Sequence, residues 1–258
     1  MRGLLYTFVL LAGCADASRP FTAADRATLD RETQLDDLPS GRATREDAIV
    51  RVVAHGVMCS GAVVGDALVV TAGHCVSSAE SDGVFVQPPG YVHVELGKDA
   101  LPWGRVSARD VMVCDGWQGG HDFDVGFVVL DRRLPADVPR LHARVDSGDV
   151  GAPSAPFVSR GFGTVLRRAQ IPALGSTWST QNIERKGKLT WSDADAFAIE
   201  MPSYGGDSGG PVLAEGSNDV VGITSEGQEQ PDGPGLTIAS RISACRATLQ
   251  RARAIATM

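Results

Sequence analysis

The strongest candidate for a catalytic nucleophile is a serine flanked by glycines. Ser208 stands in the stretch Gly206-Asp207-Ser208-Gly209-Gly210-Pro211. Glycines let the backbone turn sharply, so that main-chain N–H groups converge beside the hydroxyl, where an oxyanion would form. A nucleophilic serine also needs a base within hydrogen-bond reach and a group that orients that base. Because a serine among glycines can also mark an ordinary turn, those two groups decide the interpretation.

The base has to precede Ser208 in the chain. The stretch fits the G-x-S-x-G pattern of α/β-hydrolases, but that fold needs its histidine after the serine, and no histidine follows His142. The candidates are His55, His74, His93, His121 and His142. His74 is preferred because it follows a strand-like apolar run at 67–71 and because the adjacent Cys75 could tie that corner to Cys59.

Asp124 is the candidate for the group that orients His74. It opens an apolar run at 125–130, and a buried aspartate there can hold one tautomer of the imidazole and stabilise the imidazolium. Asp122 is the alternative, since it lies two residues earlier and the run alone does not separate the two carboxylates.

Together these motifs resemble the trypsin/chymotrypsin-like serine peptidases. The stretch TAGHC at 71–75 matches the histidine motif of that family, GDSGGP at 206–211 is its serine motif unchanged, and DVGF at 124–127 resembles its aspartate motif. Weaker matches fall in the right order at 59–61, upstream of the histidine motif, and at 161–163 and 225–227, and the resemblance covers about 38–258. The order His, Asp, Ser is also that of the family.

The resemblance implies an all-β fold of two six-stranded antiparallel β-barrels with a C-terminal α-helix. The first barrel is expected at about 38–145 and the second barrel with the helix at about 146–258. His74 and Asp124 would come from the first barrel and Ser208 from the second. The main-chain N–H groups of Gly206 and Ser208 would form the oxyanion hole of an acyl-enzyme mechanism that needs no metal or cofactor.

Several residues depart from the family pattern in the expected substrate-binding set. The set comprises Pro202, Ser203, Tyr204, Ser225, Glu226 and Gly227. Pro202 stands where trypsins carry the aspartate that recognises Arg and Lys, so we expect apolar or small side chains before the scissile bond. Tyr204 replaces a cysteine that many members have, and Glu226 replaces an aromatic residue.

Asp207 raises the question of activation. A buried carboxylate beside the nucleophile needs a cationic partner, because an unpaired buried charge is costly. In the family that partner is a new α-amino group, and no Arg-Ile-Val-Gly-Gly junction is visible here. A cut before Leu38 is the best-placed candidate; alternatively, Leu38 and Pro39 end a linker and Asp207 finds another donor.

Five cysteines limit the possible covalent structure. If Cys14 is lipidated or removed, the remaining four allow two disulfides in three connectivities. The family resemblance implies a Cys114–Cys245 bridge, because the C-terminal helix returns to the first barrel; two free buried thiols are the alternative. Neither CxxC nor HExxH occurs, so the spacing gives a zinc site little support.

The N-terminus is typical of an exported protein. Residues 1–13 combine Arg2 with an apolar stretch at 4–11, as signal peptides do. Leu11-Ala12-Gly13-Cys14 resembles a lipobox, which predicts a lipid on Cys14 and membrane attachment, whereas cleavage at Ala15-Asp16-Ala17 would release a secreted protein. Residues 14–37 are then a linker or propeptide.

Composition agrees with this interpretation. The chain has 258 residues, 30 of them glycine, and a net charge of −7. Basic residues do not cluster, which argues against nucleic-acid binding, and no apolar run is long enough to cross a membrane. Residues 242–255 contain no Gly or Pro and predict an amphipathic helix.

We expect a monomeric, exported serine endopeptidase acting on proteins or peptides; the alternatives are a catalytically silent binding module and a hydrolase of other esters or amides.

Overall fold

The computed structural model describes residues 34–98, 102–146, 150–163, 181–228, 233 and 235–258. The predicted signal peptide 1–13, Cys14 and most of the predicted linker 14–37 lie outside the described residues. Among the described residues, no helix is both long and apolar enough to span a bilayer.

The first half of the chain forms a closed barrel of short strands rich in β-branched residues. The strands are β1 (Ile49–Ala54), β2 (Val57–Gly65), β3 (Leu68–Thr71), β4 (Ser77–Glu80), β5 (Gly83–Val86), β6 (Val92–Leu96), β7 (Gly104–Val113) and β8 (Gly126–Leu130). The barrel closes antiparallel in the order β1-β2-β3-β8-β7-β6, and β4 and β5 form a separate hairpin. A four-residue helix, α1 (Gly73–Val76), follows β3.

The second half forms another six-stranded barrel. Its strands are β9 (His142–Ala143), β10 (Pro156–Gly161), β11 (Ile183–Ser192), β12 (Ala196–Glu200), β13 (Pro211–Ala214), β14 (Asp219–Gln228) and β15 (Leu236–Arg241). The order is β13-β10-β11-β12-β15-β14, and pairing of β13 with β14 closes the barrel. The two-residue strand β9 adds parallel to β14.

Each barrel has its own apolar interior. All residues of β3 and β8 are buried, and Phe127 is fully enclosed in the first core. In the second core Phe157 and Phe197 pack with their ring centroids 5.6 Å apart. Each such side chain contributes about 1.5–3 kcal/mol by leaving water. Two small cores of this kind give the rigid walls between which a site can be held.

The C-terminal helix returns from the second barrel to the first. A 3-10 turn, Ile242–Cys245, leads into α2 (Arg246–Ala256). Leu249 and Ala252 are buried in the core of the first barrel, and Cys245 is bonded to Cys114. The predicted fold of two barrels and a C-terminal helix is confirmed, with the predicted helix beginning as a 3-10 turn.

The segment before β1 is docked on the first barrel. Asp36 pairs with Arg105 of β7 at 3.1 Å, and the main-chain N–H of Gly41 donates to Asp137 at 2.7 Å. Leu38 packs against the first apolar core. The described residues before β1 therefore have fixed contacts with the first half of the fold.

Candidate active site

His74 is placed by a covalent corner at the rim of the first barrel. Strand β3 ends at Thr71, and α1 begins two residues later, so that His74 stands on the first turn after a fully buried strand. The neighbouring Cys75 is bonded to Cys59 of β2. The side chain of His74 remains 39% exposed, which leaves its ring accessible to a substrate.

Asp124 holds the imidazole from the buried side. Its side chain is 0% exposed, and Oδ2 lies 2.7 Å from Nδ1 of His74. The main-chain N–H of His74 donates to Oδ1 at 2.8 Å, and the hydroxyl of Ser225 donates to Oδ2 at 2.5 Å. An ionised carboxylate can only accept hydrogen bonds, so Nδ1 carries the proton and Nε2 is free to accept one.

The structure separates the two candidate aspartates. Asp122 points outward, with 64% of its side chain exposed, and lies 3.4 Å from Nε2 of His121 rather than near His74. Between them Phe123 adopts a φ of 58°, a left-handed conformation that non-glycine residues rarely take. Strain of this kind is tolerated where surrounding contacts fix the backbone. The strained residue here immediately precedes Asp124, which holds His74.

The pKa of His74 is raised above its ordinary value of 6.5. Burial of the ring acts in the opposite direction, because it disfavours the imidazolium. The hydrogen bond and the negative charge of Asp124 outweigh burial, and the charge of Glu226 adds to them. The imidazole is therefore a stronger base than a free histidine.

Ser208 lies against the strands that precede His74. Its carbonyl accepts a hydrogen bond from the main-chain N–H of Ser60 at 2.8 Å. The following residue, Gly209, has a φ of 83°, and a Cβ there would come within 2.1 Å of the Ser60 carbonyl oxygen and 2.9 Å of the Ala72 nitrogen. Only glycine allows this approach, which brings the serine motif of the second barrel beside the histidine corner of the first.

The turn before Ser208 is held from both barrels. Gly206 has a φ of 100°, and its carbonyl accepts a hydrogen bond from the Ser60 hydroxyl at 2.6 Å. The same hydroxyl accepts from the main-chain N–H of Phe162 at 2.8 Å. Ser60 was not among the sequence-predicted site residues; its place beside Cys59 was the available signal.

Asp207 is buried and fully paired. Its Oδ2 lies 2.7 Å from Nη1 of Arg185, a residue of β11, and accepts from the main-chain N–H of Tyr204 at 3.0 Å. Its Oδ1 accepts from the main-chain N–H of Gly163 at 2.8 Å. The sequence predicted a cationic partner without identifying it, and Leu38 lies against the other barrel.

The expected substrate-binding residues form two facing segments. A Cβ on Gly227 would lie 2.5 Å from Oγ of Ser203, so the chain at 202–204 runs beside 225–227. The Glu226 side chain is 41% exposed and lies 3.8 Å from Nδ1 of His121. The Ser225 hydroxyl instead donates to Asp124, a contact that the sequence motif did not reveal.

The four cysteines outside the N-terminal segment are paired. Cys59 joins Cys75, and Cys114 joins Cys245, so the predicted pairings are both present. Cys59, His74 and Cys75 bring potential metal-binding atoms within 4.8 Å, but sulfurs bonded to each other cannot act as thiolate ligands. Disulfides of this number are typical of oxidising compartments outside the cytosol.

Comparison with known proteins identifies the family. The model of the family described as Trypsin matches residues 40–247. The chain belongs to the trypsin family. Among relatives of this trypsin-family chain, a glutamyl endopeptidase of Bacillus licheniformis is 25% identical over 177 residues, and proproteinase E of Bos taurus is 27% identical over 187. These alignments cover 66% and 65% of the chain, and 50% and 71% of the two relatives.

Solved structures show the same fold for the trypsin-family chain. A Glu endopeptidase in complex with MPD superposes with a TM-score of 0.64 at 16% identity, covering 84% of this chain and 94% of that one. An inactivated protease paralogue of the scabies mite superposes with a TM-score of 0.65 at 13% identity, covering 83% and 94%. Because an endopeptidase and an inactivated protein share this fold, activity has to be argued from the site.

Proposed function

We propose that the chain is a serine endopeptidase that uses Ser208, His74 and Asp124 as its catalytic triad. The observation that carries the proposal is the buried Asp124, which accepts hydrogen bonds from the ring and the main chain of His74 at 2.7 and 2.8 Å. A carboxylate held in this way fixes the tautomer that a general base needs. The unchanged GDSGGP stretch beside it supplies the nucleophile.

The proton moves between Ser208 and His74 in two steps. Nε2 of His74 takes the hydroxyl proton as Ser208 Oγ attacks the scissile carbonyl carbon, and the imidazolium that forms is stabilised by Asp124. The imidazolium then gives the proton to the leaving amine, whose bond to the carbonyl carbon breaks. Water repeats the sequence on the acyl-enzyme and releases the new carboxylate. Asp124 stays ionised throughout.

The oxyanion of each tetrahedral intermediate is assigned to the main-chain N–H groups of Gly206 and Ser208. The positive φ of Gly206 and the bond from Ser60 to its carbonyl support this assignment, because they fix the turn that carries both N–H groups. Preorganised donors of this kind are worth several kcal/mol in the transition state, since they do not have to reorient during the reaction.

Substrate preference is proposed to be for small or apolar side chains before the scissile bond. Pro202 brings no carboxylate to the base of the pocket, so a substrate Arg or Lys finds no buried partner there. Glu226 lies at the rim and is partly solvated, which makes its attraction for a cation worth about 0–1 kcal/mol. The relationship to a glutamyl endopeptidase makes acidic side chains the second preference to measure.

Export is part of the proposal. The two disulfides support an oxidising location, and the lipobox-like residues at 11–14 support a lipid on Cys14. Labelling cells with a fatty-acid analogue, using Cys14→Ser as the control, distinguishes the lipid-anchored from the secreted form.

A fluorophosphonate probe tests the catalytic proposal. Its phosphorus is attacked by an activated serine and loses fluoride, so the wild-type chain should be labelled at Ser208 and Ser208→Ala should not. Cleavage of a peptide library by the same preparation completes the expected result. Labelling without peptide cleavage would indicate a hydrolase of other esters or amides. A folded wild-type chain that resists the probe would be the silent binding module.

A further inference from the structure

Asp207, the residue immediately before the proposed nucleophile, carries a charge that must be paired inside the protein. The Asp207 side chain is 1% exposed, so its charge has lost nearly all contact with water. An ionised carboxylate in that position requires a paired charge and hydrogen bonds. Nη1 of Arg185 at 2.7 Å provides the charge, and the N–H groups of Gly163 and Tyr204 provide two further donors.

Strand register directs Arg185 to this point. In β11 the side chains alternate, so that Glu184 and Lys186 face outward and pair with Arg160 and Glu215. Arg185 lies between them on the opposite face and is only 10% exposed. Because successive residues of a strand point to opposite faces, the Arg185 side chain points inward where those of its two neighbours point outward.

The arginine also contacts the loop that it would hold. Its guanidinium carbon lies 5.1 Å from the centroid of the Tyr204 ring, and the Tyr204 N–H donates to Asp207. Asp207 itself fits tightly, because a Cβ on Gly163 would come within 2.1 Å of its Cγ. Arg185 therefore contacts both ends of the turn at 204–207 that leads to Ser208.

The N-terminal segment is engaged elsewhere. The alternative partner for Asp207 was a new α-amino group at Leu38, but Leu38 packs on the first barrel core. On either side of it, Asp36 pairs with Arg105, and Gly41 donates to Asp137. Freeing Leu38 to reach Asp207 would break these contacts and displace an arginine that is already in place.

We propose that Arg185 is a positioning residue that takes the place of an activation-generated N-terminus. By pairing with Asp207 it keeps the turn at 204–207, and with it the N–H groups of Gly206 and Ser208, in the arrangement that catalysis needs. The chain is then competent before any cut at Leu38. This inference rests on the proposed function, because it assigns the control of that same site.

The first experiment uses the wild-type full chain and needs no variant. The exported protein is treated with the fluorophosphonate probe, and the intact mass of each labelled species identifies its N-terminus. We expect labelled species that begin upstream of Leu38, with a labelling rate equal to that of any shorter form. Labelling restricted to species that begin at Leu38 or beyond would overturn the inference but leave the proposed function standing. Absence of labelling in every species would defeat the proposed function itself.

The second experiment removes the charge. Arg185→Met should lower kcat by about 10²–10³, the loss that follows when one oxyanion donor is misplaced. Arg185→Lys should recover at least about a tenth of the wild-type kcat, because it restores the charge. The matched control is Arg160→Met, which removes an arginine of the neighbouring strand whose partner Glu184 is exposed, and it should leave kcat unchanged. Unchanged kcat in folded Arg185→Met would refute the positioning role.

A double-variant comparison separates positioning from general stability. In an Asp207→Asn background there is no carboxylate for Arg185 to neutralise, so adding Arg185→Met should change kcat by less than about threefold. Thermal unfolding sets an assay temperature at which every variant is folded. Full, independent losses from the two substitutions would show that Arg185 acts by another route. If Arg185→Met does not fold, Arg185→Lys and the mass measurement on the wild-type chain decide.

Discussion

Replacing Asp124 by asparagine is predicted to disable His74 through its tautomer. The amide introduced by Asp124→Asn has one accepting oxygen and one donating nitrogen. The main-chain N–H of His74 donates to the Oδ1 position at 2.8 Å, so the oxygen must stay there and the NH₂ must occupy the Oδ2 position. Facing an NH₂ group, Nδ1 of His74 has to be the unprotonated nitrogen. Nε2 then carries the proton and cannot accept one from Ser208.

The size of the loss follows from the distance between the two charges. At 2.7 Å and an effective dielectric constant of about 20, Asp124 stabilises the imidazolium by about 6 kcal/mol. Water around the 39% exposed His74 ring reduces this value. Since each factor of ten in rate corresponds to about 1.4 kcal/mol, kcat should fall by about 10³–10⁴. The upper figure agrees with the loss established for this replacement in the trypsin-type triad.

The assay compares Asp124→Asn with Asp122→Asn as a matched control. Both substitutions remove one negative charge, but Asp122 is 64% exposed and faces His121, so its replacement should change kcat less than about threefold. Steady-state kinetics on one peptide substrate and near-native thermal unfolding of both variants give the readout. A mild Asp124→Asn together with a severe Asp122→Asn would refute the reasoning, because the carboxylate assignment would then be wrong.

Three further properties of the chain can be measured against the same structure. Because the pKa of His74 is raised and the base must be neutral, kcat/KM should fall with acidification through a midpoint above 6.5, and a midpoint below that value in a pH profile would contradict the role of Asp124. Replacing Cys114 and Cys245 by serine opens a loop of 131 residues and should lower the free energy of unfolding by about 5 kcal/mol in denaturant titrations, whereas an unchanged midpoint would show that the bridge is dispensable. With Pro202 in place of an acidic residue, a peptide-library profile should favour small or apolar residues before the cut, and dominance of Arg or Lys would overturn this expectation.

The parts of the site that sequence could predict are those defined by local spacing. The glycines around Ser208 and the TAGHC stretch at 71–75 each place several functional groups within one turn of chain, so neighbours in sequence are neighbours in space. The choice between Asp122 and Asp124 was not local in this sense. It depends on which side chain the strained turn at Phe123 directs inward, and that is a property of the folded backbone.

Arg185 illustrates what sequence alone cannot supply. It lies between Glu184 and Lys186 in a stretch of three consecutive charged residues. Ile183 and Leu189 lie on the same face of β11 as Arg185, yet a charged side chain on an inward face needs a buried partner that the strand itself does not supply. That partner, Asp207, lies in the loop between β12 and β13. The sequence therefore shows that Asp207 needs a cationic partner, but it does not show which residue supplies the cation.

Buried polar residues also make one strand of the second barrel difficult to predict from the sequence. The sequence of β15 (Leu236–Arg241) does not form a continuous apolar run, because Thr237 and Ser240 interrupt it. Both are 0% exposed, and their hydroxyls donate to the carbonyls of Met201 and His121. A hydroxyl that finds a partner can be buried at little cost, so polarity in the sequence did not mean exposure in the fold.

Two hydroxyls explain how residues from separate barrels can act as one site. Ser225 of the second barrel donates to Asp124 of the first, and Ser60 of the first barrel donates to the carbonyl of Gly206 in the second. Each hydrogen bond connects a group that is proposed to act on His74 or on the oxyanion to a strand of the opposite barrel. Relative movement of the barrels would therefore have to break a buried hydrogen bond, which costs about 1–3 kcal/mol for each group left unpaired. The geometry of the proposed base and of the proposed oxyanion donors is thus maintained by the same contacts that join the two halves of the fold.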